Sequence, residues 1–169
     1  MKVEFSVRSW SAVAPGVASP AQWLAWSAVP ALPEGELQLD VSSIPALARR
    51  RLGRLAKMAV VVADDVLRQE ALTDVPMVWA SRYGDADKSL ALLASQAADE
   101  PLSPTAFGLS VHNGMGAQHS ILRGITSNAI CIASSGAAPE AGVIEAMGLL
   151  GDGADAVLLV CYDEPLPGA

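Results

Sequence analysis

The sequence predicts an α/β fold built on a mixed, mostly parallel sheet, and three observations predict it. Short apolar runs suited to buried strands (75–81, 127–132, 156–162) alternate with helical patterns, which implies βαβ crossovers. The helical run 137–150 is apolar or small nearly all round, relieved only by Glu140 and Glu145, the pattern of a helix buried on several sides. The 169 residues, 51% of them hydrophobic, match one domain, 1–169, with a real core.

In chain order, residues 2–8 alternate, with Val3, Phe5 and Val7 on one side and Lys2, Glu4, Ser6 and Arg8 on the other, predicting a half-buried first strand. Residues 15–39 carry Pro15, Pro20, Pro30 and Pro33 and read as loop with one short helix over 21–26. Trp10, Trp23 and Trp26 imply that this loop is packed down. A helix is expected from Ser42 or Ser43 as cap, with Pro45 near the first turn, to about Leu72, broken weakly at Gly53. Its apolar side is Leu47, Leu52, Leu55, Met58, Ala59 and Val62. Arg49, Arg50, Arg51, Arg54 and Lys57 put five of the 11 cationic side chains on this helix. A solvated face is the plain explanation and a surface for an acidic partner the functional one.

The run 75–81 is a second strand that tolerates Pro76 near its start. A helix over 88–98 ends before Pro101, and Ser103-Pro104 reads as the cap and first turn of a brief helix over 105–109. Strand 127–132, helix 137–150, the turn Gly151-Asp152-Gly153 and strand 156–162 complete the pattern.

Charge and composition exclude several functions. With 11 Lys and Arg against 18 Asp and Glu, the net charge of −7 offers nothing to a phosphate backbone, so no nucleic-acid partner is expected. The apolar run 58–63, like the others, is far too short to span a bilayer, and the first residues lack the order of a signal peptide. A cytoplasmic protein without a membrane partner is expected. Cys131 and Cys161, with His112 and His119, form neither a disulfide framework nor a zinc spacing, so no metal and no cofactor are expected. A charged fraction of 17% and mean hydropathy of +0.35 leave apolar surface for something else to cover, by oligomerisation or further chain.

The most informative stretch is 127–164. A buried strand enters the tight Ser134-Ser135-Gly136 turn and continues into a helix, so backbone N–H groups and the helix dipole converge on the junction, the arrangement that favours an activated nucleophile or an oxyanion. Here the sequence resembles the β-ketoacyl synthase branch of the thiolase-like superfamily. Its members run strand, Ala-Cys-Ala-Ser/Thr-Gly, buried helix, Gly-Asp-Ala-Asp turn, then a strand ending in Gly-Gly-x-Glu. Anchored on Gly136, this chain reads Ile132-Ala133-Ser134-Ser135-Gly136, with the later turn echoed at 151–155. The Arg-rich helix, Trp79-Ala80-Ser81-Arg82-Tyr83-Gly84, and Ser103-Pro104-Thr105-Ala106-Phe107 followed by Ser110-Val111-His112-Asn113 extend the resemblance. The last pair is similar to synthase-like N-terminal domains encoded with type II fatty-acid and aryl-polyene pathways. The resemblance implies the N-terminal half of a thiolase-like fold.

The departures matter more. The resemblance puts the synthases' acyl-accepting cysteine at Ala133, which cannot be acylated, so no catalytic residue is expected. The two histidines that drive decarboxylation belong to the family's second half, and His112 and His119 match neither. Gly-Gly-x-Glu has become Val160-Cys161-Tyr162-Asp163-Glu164. With the nucleophile lost, the resemblance implies a subunit like a chain-length factor, which pairs with an active β-ketoacyl synthase or with itself as a dimer. It would shape the tunnel for an acyl or polyene chain and meet acyl carrier protein only indirectly. By the family's pattern the dimer forms through the strand before the turn, giving an expected interface of Ser127, Ala129, Cys131, His112 and Asn113.

The alternative is an acyltransferase or hydrolase that uses Cys131, or Ser134 with His112 as base. Against it, Cys131 precedes the turn and reads as a buried structural thiol, while the serines lack the Gly-x-Ser-x-Gly elbow and more plainly cap the following helix. Gly114-Met115-Gly116 holds two glycines of a dinucleotide fingerprint without the third, so no nucleotide site is read there. His112-Asn113 reads as a hydrogen-bonded turn, and Asp152 and Asp155 as loop carboxylates.

Overall fold

A computed structural model describes residues 4–166 and divides the chain into two compact units, 6–72 and, with the first five residues, 73–169. In the unit 6–72, Ser19 caps α1 (Pro20–Ala28). Its hydroxyl accepts from the Gln22 amide while the Gln22 side chain accepts from the Ser19 N–H, and Pro20 occupies the first turn. The helix expected after Ser42, with a weak break at Gly53, is fully divided there into two helices, α2 (Ala46–Arg51) and α3 (Arg54–Gln69). Leu52 and Gly53 are extended (ψ 129° and 177°), and the break lets Leu52 turn inward to 7% exposure. Pro45 rather than a serine precedes α2, and the Ser42 amide is spent on the Asp40 carboxylate. On α3 the residues Leu55, Ala56, Ala59, Val60, Ala63 and Leu67 are buried, at i, i+4 and i+3/i+4 spacing. The first strand expected at 2–8 does not form over residues 4–8. Phe5 and Val7 are exposed, and residues 2 and 3 lie outside the described residues.

The unit 73–169 holds a three-stranded sheet of β1 (Met77–Ser81), β2 (Ala129–Ala133) and β3 (Leu158–Cys161), in the order β2-β1-β3. Both pairings are parallel, with Met77 level with Ala129 and Leu158, and Trp79 with Cys131 and Val160. The described sheet is therefore wholly parallel. Between the strands come α4 (Ala86–Ala97), α5 (Pro104–Ser110), α6 (Gly114–Arg123) and α7 (Ala138–Gly151). Ser103 caps α5 through the Ala106 amide, as its sequence predicts. Helix α6 has no counterpart among the elements the sequence predicts.

A parallel sheet needs cover on both faces, and two glycines allow it here. A Cβ on Gly116 of α6 would stand 3.0 Å from Trp79 Cδ1 and 3.1 Å from Cys131 Sγ. One on Gly142 of α7 would stand 2.7 Å from Leu159 Cδ1 and 3.0 Å from Ala80 Cβ. Trp79 and Cys131 lie on one face and Ala80 and Leu159 on the other, so α6 and α7 cover opposite faces. Trp79 is fully buried between the His119 ring of α6, 5.2 Å away, and the Tyr162 ring, 5.9 Å away. Helix α7 is the helix expected to be buried on several sides, and within this chain it buries only Ala138 and Gly142, with Ile144 69% exposed.

Candidate functional site

Crevices outside the carboxyl ends of parallel strands are where α/β sheets place their chemistry, and the sequence motif falls there. β2 ends at Ala133, level with Ser81 at the end of β1, and the chain then turns through Ser134, Ser135 and Gly136 into α7. Ala133, Ser135 and Gly136 are exposed, and a Cβ on Gly136 would meet only open space. Neither serine caps the helix, contrary to expectation. The residue preceding α7 is Ala137 (φ −148°, ψ 50°), with no side-chain bond to the first turn. Pro139 and Glu140 occupy that turn instead. Pro139 needs no acceptor for its nitrogen, and Glu140 lends the N-terminal dipole its negative charge.

His112 sits at the end of β1. Its Nε2 lies 3.2 Å from the Ser81 carbonyl, which can only accept, so this contact uses the tautomer protonated at Nε2. The Tyr162 hydroxyl donates to the His112 carbonyl at 3.4 Å. Among the described residues no hydrogen bond joins His112 to Ser134 or Ser135, and the ring orders the 112–114 segment, in keeping with a hydrogen-bonded turn. Asn113 precedes α6 without capping it and is exposed.

Cys131 is half-buried, and burial pushes its thiol above the usual range, the reverse of what a nucleophile needs. Cys161 is raised as well, first by burial and then by Asp163 and Glu140. Burial likewise pushes the Tyr162 hydroxyl well up, so it remains a neutral donor. Gly114 and Gly116 serve packing: a Cβ on Gly114 would stand 2.8 Å from the Leu109 carbonyl oxygen. Among the described residues no group of three or more His, Cys, Asp or Glu could hold a metal ion, and no helix is long and apolar enough to cross a membrane.

Two carboxylates, Asp163 in the altered strand-end sequence and Asp74 outside the motifs, organise the sheet ends. Asp163 accepts from the Ser81 hydroxyl at 2.8 Å and from the amides of Arg82 and Tyr83 at 3.0 and 3.2 Å. The Ser81 hydroxyl in turn accepts from the Gly84 amide at 2.7 Å. The strand-end sequence that departs from Gly-Gly-x-Glu thus ties the tail of β3 to the turn after β1. At the opposite end Asp74 accepts from the Ser127 amide at 2.8 Å, and from the Thr126 hydroxyl and amide at 2.8 and 3.1 Å. These bonds, the Ser127 amide first, hold its carboxyl down to about 2. In sequence, the only signal for either clamp is an aspartate beside a strand end. The expected interface residues Ser127, Ala129 and Cys131 lie on or beside β2, which forms one edge of the sheet. Ala129 is exposed, and Ser127 and Cys131 are half-buried.

Residues 23–169 match the family model for the beta-ketoacyl synthase N-terminal domain. A chain of the solved structure of a ketosynthase (ApeO) in complex with its chain length factor (ApeC) from Xenorhabdus doucetiae is similar, with 29% sequence identity and a TM-score of 0.88. The match covers 99% of this chain and 70% of that one. No curated protein matches.

Proposed function

The chain belongs to the beta-ketoacyl synthase N-terminal domain family, and from that premise we propose that it is a non-catalytic subunit resembling a chain-length factor. It pairs with an active β-ketoacyl synthase and shapes the tunnel in which an acyl or polyene chain grows on acyl carrier protein. The observation that carries this reading is Ala133. The resemblance assigns the synthases' acyl-accepting cysteine to this position, at the end of β2, and its methyl group offers no lone pair to a thioester. Two further features support it: the exposed edge of β2, suited to pairing with another subunit, and the likeness to a chain from a two-protein synthase complex. The raised Cys131 thiol gives the acyltransferase alternative no support.

Incubation with an acyl thioester should leave the intact mass unchanged. A stoichiometric acyl adduct on any side chain would overturn the reading. Ala133→Cys should react with a thiol-directed probe faster than Cys131, because the start of α7 favours a thiolate, and should still catalyse no condensation by itself. Condensation by that variant without a partner would mean that the chain carries a complete synthase site.

A further inference from the structure

Between Asp40 and Asp64 the chain carries five cations and no acidic residue, and those cations fall on α2 and the start of α3. We propose that this face docks an acidic amphipathic helix of a small partner protein, with carboxylates seated on the arginines and an apolar side chain on Leu47. The inference does not depend on the function proposed above.

Fold stability does not account for the cations. Arg49, Arg50, Arg51 and Lys57 have no acidic partner among the described residues. Arg54 opens α3 and Lys57 follows within its first turn, a turn with no acid and no side-chain cap. The start of a helix is itself positive, so cations placed there destabilise it until an anion arrives. Arg50, Arg51 and Arg54 are exposed. Leu47, 64% exposed, precedes Arg50 and Arg51 on α2 by three and four residues and so shares their face, an apolar contact with a cationic rim. The size of the patch selects the partner. At physiological salt a charge is felt over about 8 Å, so a small partner on this face meets only its cations. A nucleic acid or a membrane would reach beyond it, to a chain whose other six cations stand against all 18 acidic residues.

The probe is a rhodamine-labelled helical peptide with glutamates on one face and leucines on the other, titrated with the full chain and read by anisotropy. A scrambled peptide of the same composition and a lysine-for-glutamate peptide are the controls. The acidic helix should bind saturably, more weakly as salt rises from about 20 to about 200 mM, and at least about fivefold more tightly than either control. Arg50→Ala combined with Arg51→Ala should weaken it about fivefold, the worth of two exposed ion pairs, and Arg50→Lys combined with Arg51→Lys should retain it. Arg68→Ala, which removes a cation already paired with Asp65, should change nothing. Leu47→Ala should weaken binding without altering its salt dependence. Absence of saturable binding up to about 1 mM, or undiminished binding by the double alanine variant, overturns the proposal. So does tighter binding of heparin or of phosphatidylglycerol vesicles than of the peptide, or loss of self-association in the double alanine variant, which would give the face to a second copy.

Discussion

Gly116 shows how little room the sheet leaves its covering helix. Trp79 is wholly buried and cannot swing aside, so the methyl of Gly116→Ala must displace α6 or strain the Trp79 and Cys131 side chains. That overpacking should cost about 1–3 kcal/mol, read as a lower urea midpoint with the slope unchanged. Gly148 on α7 is a control, since a Cβ there meets nothing within 4 Å and helix propensity favours alanine by up to about 1 kcal/mol. Equal stability changes in the two variants would refute the steric account. Sequence can weigh Gly114 and Gly116 only against a nucleotide fingerprint. Their actual role depends on Trp79, which no local pattern brings beside them.

Among the elements, those with strong local chemistry are legible in the sequence. The apolar runs form β1, β2 and β3, the Ser103-Pro104 start forms α5, and the apolar 137–150 run forms α7. The failures have physical causes. Glycines at 114 and 116 lower helix propensity and hide α6. The alternation over 4–8 has no neighbouring strand among the described residues to hold it, and the weak break expected at Gly53 is a full one, where burying Leu52 outweighs continuity. The clamp between the starts of β1 and β2 joins residues 52 and 53 positions apart, beyond any window of local reading. It yields a pH prediction. The folded Asp74 carboxyl titrates at about 2 against an ordinary 3.8, so its contribution is complete above about pH 4 and is lost as pH falls through 2. Asp74→Asn should flatten the stability curve over that acid limb and lower stability at neutral pH. A wild-type slope in urea titrations at pH 2 to 4 would contradict the clamp.

For the whole molecule, uncovered apolar surface is the dominant fact. Helices α4 and α5 bury no residue, and Leu93, Phe107, Ile121 and Ile144 are 59%, 64%, 76% and 69% exposed. Together with an open β2 edge this predicts self-association, or aggregation relieved by a synthase subunit. Light scattering at tens of micromolar checks it, and a monodisperse wild-type monomer would refute it. Ala129→Asp should break the assembly while scarcely altering the isolated fold, because Ala129 is exposed within the chain but its charge would be stranded in a strand pairing. Strand order also has a consequence for synthesis. β1 occupies the middle of the sheet but leaves the ribosome first, and its two neighbours emerge only at residues 129–133 and 158–161. Until then a nascent chain carries Met77, Val78, Trp79 and Ala80, all of which end fully buried, with both backbone edges unsatisfied. The Asp163 clamp cannot close before nearly the whole described chain has emerged, so translation beyond residue 163 sets the earliest moment at which this sheet becomes safe from other chains.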